Sequence, residues 1–86
     1  MTTTSTIFNL QDKKFILTGS NGQLGQATSE LLTSLGATII GCDTQNRKDK
    51  QSHYYQLDIA KKSNVVETFS NIFNEYNTID GLINNA

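Results

Sequence analysis

Apolar residues fall along this chain in two rhythms. Phe15, Ile16 and Leu17 form one continuous run after a polar turn at 11–14. A run that short, closed by a turn signal, predicts a buried strand. Leu24, Ala27, Thr28, Leu31, Leu32 and Leu35 then recur at helical spacing, and Gly36 suits a left-handed helix stop. The pattern predicts a helix over 23–35. A second apolar run at 37–42 ends at Asp43, and the stretch 44–52 is a polar loop. The aromatic-rich segment 53–57 predicts a third strand. Val65, Val66, Phe69, Ile72, Phe73 and Tyr76 line one face of a second helix, with Ser63 or Asn64 as its N-cap, and Asn77-Thr78 ends it. A fourth strand is expected over 79–86. Residues 1–7 read as a frayed tail, and 8–86 as the folded unit, with Phe8 and Leu10 tucked against the sheet.

Strands alternating with helices imply an α/β fold with a parallel sheet. Composition narrows the function classes. With 86 residues, 36% of them hydrophobic, the chain suits a small globular unit and not a disordered one. A net charge of −1 gives no electrostatic case for nucleic acid or a membrane surface. The single cysteine, Cys42, excludes an internal disulfide and fits a reducing compartment; it reads as a small buried apolar residue. The polar start lacks the apolar core of a signal peptide, so the protein is expected in the cytoplasm. His53 is the only histidine and has no ligand partners at metal spacing, so no metal site is expected.

The chemistry lies between the first strand and the first helix. Gly19, Gly22 and Gly25 recur at every third position and run straight into the helical pattern. Unpaired N–H groups at a helix start carry partial positive charge and bind anions. Gly19 permits the tight turn, Gly22 lets a pyrophosphate approach the backbone, and Gly25 lets the helix lie close to its strand. No Lys-Ser or Lys-Thr pair closes the loop, so the P-loop of ATPases does not fit. Asp43 follows at close to the ~20-residue offset of a dinucleotide fingerprint. A carboxylate there accepts hydrogen bonds from the adenosine ribose and repels a 2′-phosphate, which favours NAD over NADP. Arg47 or Lys48 could instead neutralise such a phosphate.

Three motifs stand in order: Thr18-Gly-Ser-Asn-Gly-Gln-Leu-Gly25, Leu57-Asp58-Ile59 and Asp80-Gly-Leu-Ile-Asn-Asn-Ala86. Together they resemble the first half of a short-chain dehydrogenase/reductase. The resemblance implies a Rossmann-type sheet with strand order 3-2-1-4 and helices on its faces. It implies that Gly19, Asn21, Gly22, Leu24 and Gly25 hold the pyrophosphate and that Asp43 holds the ribose. Asp58 and Ile59 would bind the adenine edge, and Asn85 and Ala86 would line the adenosine-ribose side. Gln23 stands where compact members often carry glycine, a spacing more like that of sugar-nucleotide-modifying members. Ala60 stands where many members have a threonine cap.

The family's catalytic Asn, Ser and Tyr-x-x-x-Lys pair normally follow the point reached at Ala86. Tyr54, Tyr55 and Tyr76 have no lysine four residues on. No catalytic residue is therefore assigned, and the chain is expected to be the cofactor half of a longer enzyme. The expected activity is hydride transfer between a nicotinamide and a small carbonyl or alcohol substrate, in a full-length form that is homo-oligomeric. The alternatives are a non-catalytic, redox-sensing NAD(P) module or an NAD-dependent sugar-nucleotide epimerase or dehydratase.

Overall fold

The computed structural model describes residues 9–45 and 53–86. Phe8, the tail and the Arg47/Lys48 alternative lie outside the described residues. The elements are β1 (Lys14–Thr18), α1 (Gln23–Ser34), β2 (Thr38–Asp43), β3 (Tyr54–Gln56), α2 (Lys62–Tyr76) and β4 (Gly81–Asn84). They form one four-stranded sheet in the order β3-β2-β1-β4. All three pairings are parallel, with Phe15 opposite Ile39 and Gly81, and Cys42 opposite Tyr55.

Side chains alternate across a strand, so β1 feeds two cores. Ile16 joins Ile40, Cys42 and Leu57 beneath Ile72 of α2, with Val65, Phe69, Tyr76 and Ile79 packed around them. Leu17 joins Ala37 and Ile39 on the opposite face, against Leu32 of α1, Phe15 and Ile83. Leu10 packs there too, and its N–H donates to Leu35 O at 2.8 Å. The helices therefore cover opposite faces.

The expected helix at 23–35 stops one residue earlier, at Ser34. Gly36 adopts φ +102°, and the N–H groups of Gly36 and Ala37 return to Thr33 O and Leu32 O at 3.0 and 3.1 Å. Those bonds satisfy carbonyls that the last helical turn leaves open. The buried stripe of α1 differs from the periodicity reading. Gly25 is buried, while Leu24 and Leu31 stay 67% and 61% exposed. The line of contact runs through Gly25, Thr28 and Leu32, rotated about a sixth of a turn from the expected face. Val66 and Phe73 of α2 are likewise exposed, beside the buried Thr68 and Ile72. Neither Ser63 nor Asn64 caps α2; Lys61 stands at the cap without a side-chain bond. β4 covers only Gly81–Asn84, shorter than the run 79–86.

Candidate functional site

The carboxyl ends of all four strands share one edge of the sheet, because every pairing is parallel. The crevice expected there falls between β1 and β4, where the strand order reverses. Gly19 follows β1 with φ +68°, a left-handed conformation that suits glycine. A Cβ on Gly25 would sit 2.2 Å from Gly19 O, so only glycine allows the start of α1 to lie on the loop. Gly22 differs. Its φ is −72°, and a Cβ there would meet only Gly19 O, at 3.6 Å, an ordinary contact. Nothing in the chain itself requires glycine at 22. It leaves open the space in front of the N-terminus of α1, where no side chain caps the helix. An uncapped, unobstructed helix start fits a phosphate.

Asp43 ends β2 facing this loop. Its Oδ2 accepts from Asn21 N–H at 2.8 Å, and its Oδ1 accepts from Thr44 N–H at 2.8 Å. Each oxygen keeps a lone pair for a further donor. The Asn21 side chain continues the network, donating through Nδ2 to Gln45 Oε1 at 3.2 Å and to Tyr54 Oη at 3.1 Å.

On the other side of Gly19, the Thr18 hydroxyl ties β1 to the end of β4. It lies 3.0 Å from Asn84 Oδ1, as donor, and accepts from Asn85 N–H at 3.0 Å and Ala86 N–H at 3.3 Å. One hydroxyl thus uses its full hydrogen-bonding capacity. Asn85 Nδ2 donates to Gly19 O at 3.3 Å, and a Cβ on Gly19 would touch Asn85 O and Ala86 Cα at 3.1 and 3.2 Å. The first and third motifs are therefore in contact.

Asp58 and Ile59 follow β3 at the same edge. Asn64 Oδ1 accepts Asp58 N–H at 2.7 Å, while its Nδ2 reaches the buried Thr68 hydroxyl at 3.4 Å. Asp58 Oδ1 in turn accepts Ala60 N–H at 3.0 Å. The Asp58 carboxylate thereby closes the turn after β3, and Asn64 braces that turn instead of capping α2. A cleft of about 480 Å³ opens beside it, lined by Thr44, Gln56, Asp58, Lys61 and Asn64 among others. This cleft holds none of the glycine-loop residues. The loop and Asp43, joined by the Asn21 amide at 2.8 Å beside an uncapped helix start, are the better-built recognition surface.

Residue spacing assigns no site role to Thr18, Tyr54, Gln45 or Asn64. Their parts depend on side-chain bonds across strands, which spacing does not encode. Other reactive groups are quiet. Burial, with the Asp43 charge beside it, pushes the Cys42 thiol up from 9.0 to about 11. His53 Nδ1 lies 2.7 Å from Tyr76 Oη, a structural link between the residue before β3 and α2. Tyr55 hydrogen-bonds Glu75, and burial followed by that carboxylate raises its hydroxyl pKa. No metal-binding cluster occurs among the described residues, and no described helix is long and apolar enough to cross a membrane.

Comparison with known proteins agrees with this fold. The family model described as short chain dehydrogenase matches residues 13–86. The chain is 34% identical to sorbitol-6-phosphate 2-dehydrogenase of Klebsiella pneumoniae, over 95% of its own length and 32% of that protein's. It is 32% identical to an NAD-dependent glycerol dehydrogenase of Listeria innocua, over 92% of itself and 34% of that protein. It therefore spans about a third of the length of these curated relatives. Among solved structures, ligand-free aldohexose dehydrogenase of Thermoplasma acidophilum superposes with TM-score 0.80 at 28% identity, covering 90% of this chain and 30% of that one. A short-chain dehydrogenase of Leptospira borgpetersenii with bound NAD+ superposes with TM-score 0.73 at 31% identity, covering 86% and 31%. Three motifs on one sheet edge, the strand order and the family match lead to one conclusion: this chain belongs to the short-chain dehydrogenase family.

Proposed function

We propose that the chain is the cofactor-binding half of an NAD-dependent oxidoreductase acting on a small carbonyl or alcohol compound. The observation that carries this reading is the Asp43 carboxylate at the mouth of the glycine loop, bonded to Asn21 N–H and Thr44 N–H at 2.8 Å each. In this reading the helix start at Gly22, Gln23 and Leu24 receives the pyrophosphate. Gly19 and Gly25 shape that turn, and Asn21 lines it. Asp43 accepts from the ribose hydroxyls, and its charge disfavours the 2′-phosphate of NADP. Asp58 and Ile59 meet the adenine edge, and Asn85 and Ala86 line the ribose side.

The bound nicotinamide would supply the hydride chemistry. The residues described here bind and orient; none is in place to move a proton. Tyr54 and Tyr76 are engaged with neighbouring side chains, and Tyr55 with Glu75. The 86 residues alone are accordingly expected to bind nucleotide without turnover. A cytoplasmic location and a homo-oligomeric full-length form belong to the same proposal.

Titration calorimetry with NAD and NADP tests it. Asp43→Ala is expected to weaken NAD binding by roughly ten- to a hundredfold, the loss of hydrogen bonds to a charged group, and to narrow the preference over NADP. Equal or tighter NADP binding by the unaltered chain would refute the cofactor assignment.

A further inference from the structure

We propose that Tyr54 is a positioning residue for cofactor choice: its hydroxyl fastens the segment after β2 to the glycine loop and so holds Asp43 against a 2′-phosphate. The inference rests on the role of Asp43 proposed above.

Tyr54 opens β3, in register with Gly41. A Cβ on Gly41 would strike Ser20 Oγ at 2.7 Å but only touch Tyr54 Cδ1, at 3.5 Å, so the Tyr54 ring lies in ordinary contact with β2 there. Its hydroxyl donates to the carbonyl of Gln45 and accepts from Asn21 Nδ2 at 3.1 Å. Asn21 Nδ2 also donates to Gln45 Oε1 at 3.2 Å. Three separate stretches thus close a ring: the glycine loop, the segment just past β2, and the start of β3. Asp43 lies inside it, two positions before Gln45, held by the Asn21 and Thr44 amides.

A second anionic group can enter beside Asp43 only if the carboxylate turns away or the segment carrying it moves out. Turning away breaks the bonds from Asn21 and Thr44. Moving out breaks the Tyr54 bond to Gln45. The Tyr54 hydroxyl resists that second route at a distance from the ligand. Its loss should act on the choice between cofactors and not on nucleotide binding in general.

The test measures NAD and NADP dissociation constants by calorimetry for the unaltered protein, Tyr54→Phe, Asn21→Ala and the double variant. Amide hydrogen exchange on the unliganded proteins accompanies it. Tyr54→Phe is expected to lower the NAD:NADP affinity ratio by about three- to tenfold, the scale of one neutral hydrogen bond. It should speed exchange at the Asn21 and Thr44 amides and leave the Ile16 and Leu17 amides of β1 unchanged. The double variant should fall short of the sum of the single effects, because both act on one ring. An unchanged ratio, including equal losses for both nucleotides, overturns the proposal. Unchanged exchange at Asn21 and Thr44 overturns it as well. If the unaltered protein binds neither nucleotide, the cofactor reading fails instead, and the exchange data alone judge the ring. Should Tyr54→Phe not fold, Asn21→Ala supplies the NAD:NADP ratio and the Thr44 amide exchange from the loop side.

Discussion

The same substitution at two glycines three positions apart should have opposite consequences. In an exposed helix interior, Gly→Ala normally stabilises by about 0.5–1 kcal/mol, because alanine restricts the unfolded chain. Gly25 lies inside α1, yet a Cβ there would stand 2.2 Å from Gly19 O and 2.9 Å from Ser20 Cα. Both atoms are backbone, so no side chain can swing aside. The start of α1 must retreat from the loop by about 1 Å to reach ordinary contact, and overpacking of that kind costs roughly 1–3 kcal/mol, at times more. Gly25→Ala is therefore expected to destabilise by about 2–3 kcal/mol despite its better helix propensity. At 4–8 °C per kcal/mol for a domain of this size, the melting temperature should fall by roughly 10–20 °C. Gly22→Ala meets only the 3.6 Å contact and an ordinary φ of −72°. Its poorer capping offsets the entropic gain, and stability should stay within about 1 kcal/mol. On the proposed function NAD binding should nonetheless be lost, since the methyl would enter the space assigned there to the pyrophosphate. Circular dichroism melts and calorimetry on both variants separate the two effects. A Gly25→Ala protein that melts like the parent would refute the steric argument. Undiminished NAD binding by a folded Gly22→Ala protein would refute the phosphate site.

Thr18→Val leaves the Asn85 and Ala86 amides without their acceptor and should cost about 1–3 kcal/mol in urea titrations, with exchange quickening at those two amides first. Ser20 Oγ is buried with no hydrogen-bond partner among the described residues, so Ser20→Ala should raise stability by about 1 kcal/mol, read as a higher denaturation midpoint. The Cys42 thiol has a folded pKa near 11 against 9.0 when exposed, so the fold favours its neutral form. That contribution is complete below pH 9 and is lost as pH rises through 11. At pH 8 a thiol reagent should label native protein slowly and urea-unfolded protein quickly.

Much of the fold is legible in residue order. The run Phe15-Ile16-Leu17, the helix stop at Gly36 and the second run ending at Asp43 all reappear within a residue or two of their expected bounds. The orientation of the helices is not. Around α1 the apolar arc is wide enough to hold two stripes, Leu24 with Leu31 and Thr28 with Leu32, and periodicity cannot choose between them. The close approach at Gly25 decides, because it draws that side of the helix onto the loop and turns Leu24 outward. The site divides in the same way. Glycine spacing and the offset to Asp43 are written in sequence because backbone geometry sets them. The Thr18 hydroxyl and the Asn21–Tyr54–Gln45 ring join positions distant in the chain, so no local pattern announces them.

The order β3-β2-β1-β4 has a kinetic consequence. β1 forms early in the chain but sits inside the sheet, and its second partner, β4, comes last among the described strands. The bond from Asp80 N–H to Lys14 O closes a loop of more than sixty residues. A closure that long is entropically unfavourable and slow beside the growth of either helix. During synthesis, β1 can pair with β2 while its other side waits, with Phe15 and Leu17 only partly covered. Among the described strands, the β1–β4 pairing, and with it the Thr18 bonds at the mouth of the glycine loop, is therefore expected to assemble last.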